Sequence, residues 1–134
     1  MTHRAKFLTH LLLTPLSDGL HWRVESPFGY ITSWGWHFTV PTGFVTDLAS
    51  IPRLFWNILP PFGRYTEAAV LHDWLYRTHM LPRPDADEVL LEAMKLCKTS
   101  IATRLVIYSA VRAFGWFAWH DEKRWHPMIK HRGI

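Results

Sequence analysis

The sequence predicts an α+β fold: a small N-terminal antiparallel β-sheet of two or three strands packed with a C-terminal three-helix half. Two observations carry this expectation. Before Pro60-Pro61, short β-prone runs alternate with turn signals. After it, apolar residues recur with helical spacing. The chain has 134 residues, the size of one ordinary domain, so residues 1–134 are read as a single domain. Its 49% apolar content, with 15% aromatic residues, is ample for a packed core at this length.

The elements come in order along the chain. Ser17-Asp18-Gly19 reads as a turn, and His21 to Glu25 then alternates as a strand. Ser26-Pro27-Phe28-Gly29 reads as a second turn. Trp34 to Val40, rich in aromatic and β-branched residues, reads as a further strand ending at Pro41-Thr42-Gly43. Thr66 to His79 carries Ala68, Val70, Leu71, Trp74 and Leu75 in a broad apolar stripe and reads as a helix stopped by Pro82 and Pro84. Asp85 with Glu88 three residues on predicts a capping box opening a second helix to about Lys98. Ser100 caps a third, through roughly Trp119, with Gly115 as its weak point.

Composition also narrows the function classes. The net charge of +4 is a mild excess, and the visible basic cluster is the C-terminal tail, residues 120–134, with Lys123, Arg124, Lys130 and Arg132. Without a recognition motif, nucleic acid is not the expected partner. The single cysteine, Cys97, excludes an internal disulfide and a cysteine-rich zinc module. Leu11 to Leu13 is too short for a signal-peptide core, and Leu105 to Trp119, which contains Arg112, is too short to span a bilayer. The chain is expected to be made in a reducing cytoplasm and not to be transmembrane. Eight tryptophans are many for this length, and some should lie at a cleft rim or partner surface.

Three polar groups sit in apolar company. Asp47, between Thr46 and Leu48, is either a turn-former or a ligand. His72 and Asp73 lie between Leu71 and Trp74. As adjacent helical residues they point about 100° apart but can flank one site, and Tyr76 lies one turn after His72. The plainer reading has His72 on a backbone carbonyl and Asp73 paired with Arg77. Asp87 could simply favour its helix's N-terminal dipole. In an antiparallel helical hairpin, however, it would lie opposite His72 or Tyr76, where a carboxylate fixes the imidazole tautomer.

The segments Val40 to Pro52, Ala68 to Tyr76, Ala86-Asp87 and Tyr108 to Gly115 resemble an uncharacterised bacteriophage and prophage family, domain of unknown function 1353. That resemblance implies phage origin and no established activity. His72-Asp73-x-x-Tyr76, followed by Ala86-Asp87, is also similar to the catalytic helix hairpin of phospholipases A2. This second resemblance implies His72 as the base that activates water, Asp87 as its orienting carboxylate, Tyr76 as support and Asp73 on a calcium ion. The chain has Gly43 and Gly63 but no glycine cluster ahead of the helix. Two functions are therefore expected. One is a non-enzymatic virion component (tail or assembly) or host-directed binding protein, whose partners are other virion proteins or a host protein. The other is a metal-assisted hydrolase acting on lipid or cell wall, with Asp47, Asp73 and His72 at a calcium or zinc ion and His72, Asp87 and Tyr76 as the catalytic set. The host cytoplasm is the expected site of synthesis, with incorporation in the virion compatible with either.

Overall fold

Three helices form the C-terminal half because three segments meet both the apolar periodicity and the end chemistry of helices. A computed structural model describes residues 4–47 and 65–121. Helix α1 spans Thr66–Thr78, α2 spans Arg83–Leu96 and α3 spans Ile101–Trp119. The α1 helix closes on His79, which takes the left-handed conformation at φ 54° and donates its backbone N–H to Leu75 O. Ser100 caps α3 as expected, its side chain accepting from the Thr103 N–H.

The start of α2 differs from the capping box. Pro82 is the N-cap, Pro84 sits in the first turn, and no side chain caps the helix. A first-turn N–H has no intrahelical acceptor, so proline costs nothing there. Its fixed φ draws the helix start two residues before Asp85, and the prolines open α2 instead of merely stopping α1.

The N-terminal half contains more strands than expected, each very short. Strands β1 (Lys6–Phe7), β4 (Phe28–Ile31) and β5 (His37–Val40) form one antiparallel sheet in the order β1-β4-β5. Strands β2 (Leu13–Pro15), β3 (Trp22–Val24) and β6 (Val45–Thr46) form the other, in the order β2-β3-β6. Phe28 and Gly29, read as turn residues, belong to β4, because Phe28 pairs with Val40 and Gly29 with Thr39. The strand read from Trp34 starts only at His37, since Gly35 turns the chain at φ 87°.

The core joins both halves. Val24, Phe28, Tyr30, Val40 and Phe44 are fully withdrawn from solvent, as are Leu71, Leu75, Leu90, Met94 and Ile107 from the helices. Each sheet is also clasped to a helix by polar groups. Tyr30 Oη donates to Glu92 Oε1 of α2 at 2.7 Å, and Thr46 Oγ1 donates to Asp73 Oδ2 of α1 at 2.6 Å. No helix among the described residues is long and apolar enough to cross a membrane. The expectations placed on Leu48 to Pro52, Pro60-Pro61, Gly63 and tail residues 122–134 lie outside the described residues.

Candidate functional site

Two polar networks flank α1, and the predicted site residues divide between them. Asp87 is the hub of the first. One turn of α1 separates His72 from Tyr76, and both reach the same carboxylate oxygen. His72 Nε2 lies 2.7 Å from Asp87 Oδ1, and Tyr76 Oη donates to that oxygen at 2.7 Å. The α3 helix supplies Arg112, whose Nη1 donates to Asp87 Oδ2 at 2.6 Å. From within α2, Arg83 Nη1 stands 3.6 Å from the same oxygen. Arg83 also donates to the carbonyls of Val111 and Arg112, at 3.1 and 3.0 Å. Three helices thus meet on one carboxylate.

His72 and Asp87 are wholly buried, and Tyr76 is almost so. Burial alone would raise the Asp87 carboxyl, but hydrogen bonds from His72, Tyr76 and Arg112 outweigh it and hold the group below its ordinary value of 3.8. Burial first, then the bond to Asp87, drives the Tyr76 phenol well above its usual range. An ionised Asp87 only accepts, so Nε2 of His72 carries the hydrogen aimed at it. In the neutral ring the basic lone pair is then on Nδ1.

This arrangement gives fold stability a definite pH dependence. The native Asp87 pKa lies below the unfolded value near 3.8. Its stabilisation is therefore complete above that pH and lost as pH falls through the lower, native value. Urea midpoints recorded from about pH 5 to about pH 2 are expected to fall on acidification, and Asp87→Asn to flatten that slope. An equal slope in both proteins would show that other carboxylates control acid unfolding.

The second network lies on another side of α1. Asp73 Oδ2 accepts from Thr46 and lies 3.6 Å from Arg77 Nη2, the i, i+4 pairing expected of it. Arg77 Nη2 also donates to Asp47 Oδ1 at 3.3 Å, and its guanidinium lies over the Phe44 ring at 5.6 Å. Asp47 and Asp73 are thus brought together on Arg77, and His72 and Tyr76 on Asp87, so the contacts described for the two sets run to different partners. The physical reason is the turn angle between adjacent helical residues, which sends His72 toward α2 and Asp73 toward β6.

Of the residues expected at a divalent metal, Asp47 and Asp73 share the Arg77 guanidinium, and the His72 imidazole faces Asp87. Among the described residues, no group of three or more His, Cys, Asp or Glu is placed to hold a metal ion.

Sequence reasoning missed Arg83 and Arg112 as members of the Asp87 network. Arg112 carried a usable signal: a guanidinium within the apolar run from Leu105 to Trp119 needs a carboxylate partner. Gly115 carried another. A Cβ there would stand 2.7 Å from Tyr76 Oη and 3.3 Å from Arg83 Nη1, so the residue read as a weak point of α3 is where that helix presses on the network.

Comparison with known proteins places these residues in a family context. The model of a family described as "Protein of unknown function (DUF1353)" matches residues 22–111, a span containing His72, Asp73, Tyr76, Arg83 and Asp87. The chain is also similar to "Uncharacterized protein y4jT" of Sinorhizobium fredii (strain NBRC 101917 / NGR234), with 32% identity over 94 residues. That alignment covers 69% of this chain and 28% of the relative, so the chain spans little more than a quarter of the relative's length. No solved structure matches significantly.

Proposed function

The chain belongs to the DUF1353 family of proteins of unknown function, and from that premise we propose that it is a non-enzymatic binding or assembly protein whose Asp87 network is a structural brace. The supporting observation is the complete burial of both His72 and Asp87, together with the occupation of both Asp87 oxygens by His72, Tyr76 and Arg112. A catalytic base needs a path to substrate, whereas a satisfied buried network fixes one arrangement of packed elements. Virion proteins or a host protein are the partner classes that go with this role, in a tail or assembly component or a host-directed binder.

A second reading is favoured by one specific observation. The imidazole, carboxylate and phenol at positions 72, 87 and 76 adopt the contacts implied by the phospholipase A2 resemblance. In a hydrolase of lipid or cell-wall bonds, His72 would take the proton from water and Asp87 would steady the ring.

His72→Gln separates the readings, because the glutamine amide can still donate to Asp87 while lacking a base. The brace reading expects no ester hydrolysis of phospholipid vesicles by the wild-type chain and unfolding within about 1 kcal/mol of wild type in the variant. Turnover by the wild type that disappears in a folded His72→Gln protein would establish the hydrolase instead.

A further inference from the structure

The outer face of α3 is apolar where a surface helix is ordinarily polar. Ile101 is 66% exposed, Leu105 59%, Trp116 53% and Phe117 68%. Ala102, Ser109 and Ala113 are exposed beside them. Residues 102, 105, 109, 113 and 116, spaced by three or four, form one stripe along the helix. The large side chains of this face present on the order of 500 Å² of apolar surface, at the upper end of what a monomer ordinarily leaves uncovered.

We propose that this face of α3 binds the same face of a second copy, forming an antiparallel two-fold helix pair centred on Ser109. The stripe is complementary to itself when reversed about that residue. Leu105 then meets Ala113 of the second copy, Trp116 meets Ala102, and Ile101 meets Phe117. At the first two of these positions a large side chain faces a small one, and at the third two large apolar side chains adjoin. Ser109 meets itself, where a small residue lets the helices approach closely.

Charge favours the same occupant. The charged residues of α3 are Arg104 and Arg112. Arg112 is neutralised by Asp87 at 2.6 Å, and in the reversed register it faces Val106, so no two cations oppose each other. An anionic lipid surface would be drawn by uncompensated cations flanking the apolar face, and of the two within α3 one is spent inside the fold. Two such faces bury roughly 1,000 Å² or more between them, the lower bound for a specific association. The inference goes beyond the brace reading and stands apart from it, since the face is the same whether or not His72 catalyses.

Sedimentation equilibrium of the full chain tests the pairing. The wild type is expected to be dimeric at tens of micromolar, and Leu105→Asp to raise the dissociation constant by roughly 10- to 100-fold with an unchanged circular dichroism spectrum. In a Cys97→Ser background, Ser109→Cys is expected to form a disulfide-linked dimer on mild oxidation, and Arg104→Cys is not. A wild-type chain that stays monomeric at about 100 μM overturns the proposal. So does a monomer that co-sediments with phosphatidylglycerol vesicles through Leu105 and Trp116, or equal cross-linking at positions 104 and 109. None of these outcomes depends on the ester-hydrolysis result.

Discussion

Asp87→Ala is expected to lower the unfolding free energy by about 3–5 kcal/mol, the cost of removing one partner from a buried charge pair. The substitution leaves the Nε2 hydrogen of His72, the Tyr76 hydroxyl and two guanidinium groups facing a methyl group. Their ability to escape to water decides the size of the loss. Arg112 has a side chain 37% exposed and can swing outward. Arg83 is 18% exposed and is tied to two α3 carbonyls, while His72 and Tyr76 have no route to solvent. Asp87→Asn keeps one carbonyl oxygen for two of the donors and is expected to lose roughly half as much. Urea unfolding at neutral pH measures both. An Asp87→Ala midpoint equal to that of wild type would show that the carboxylate does not hold the three helices together.

Gly115→Ala is the second substitution with a large expected effect, and its sign runs against helix propensity. In an open helix, alanine for glycine gains about 1 kcal/mol. Here the new methyl would lie 2.7 Å from Tyr76 Oη, and the phenol is held in place by its bond to Asp87 and by the Trp119 ring packed edge-on at 5.1 Å. Either α3 shifts outward or Tyr76 leaves Asp87. The net loss is expected to be about 1–3 kcal/mol. A double-mutant cycle isolates the cause. With Tyr76→Phe the closest atom is gone, leaving Arg83 Nη1 at 3.3 Å and the ring at 3.4 Å, so most of the loss from Gly115→Ala should disappear there. Equal losses in both backgrounds would place the strain elsewhere.

Much of this arrangement can be read from the residues, and the parts that cannot have physical reasons. The stripe of α1 and the Ser100 cap of α3 are local signals, and the observed helices agree with them. Placing Asp87 opposite His72 needs only two helices joined by a short turn, so that contact is legible too. Strands of two or three residues are different. Lys6–Phe7 and Val45–Thr46 are too short to display an alternating pattern, and their pairing is set by neighbours far away in sequence. Asp73 and His72 reach different partners, Thr46 and Asp87, because adjacency along a helix separates side chains. Arg77, expected only as a partner for Asp73, draws Asp47 to itself as well. Arg112 reads in the sequence as a barrier to membrane insertion, while the deeper implication, a carboxylate waiting inside the fold, belongs to tertiary structure.

The two clasps, Tyr30 to Glu92 and Thr46 to Asp73, make the N-terminal half dependent on the C-terminal one. Ladders this brief cannot persist in water unaided, and each borrows its anchorage from a different helix. Recombination that parted the strands from the helices would sever both attachments at once, so the two halves are expected to be inherited together.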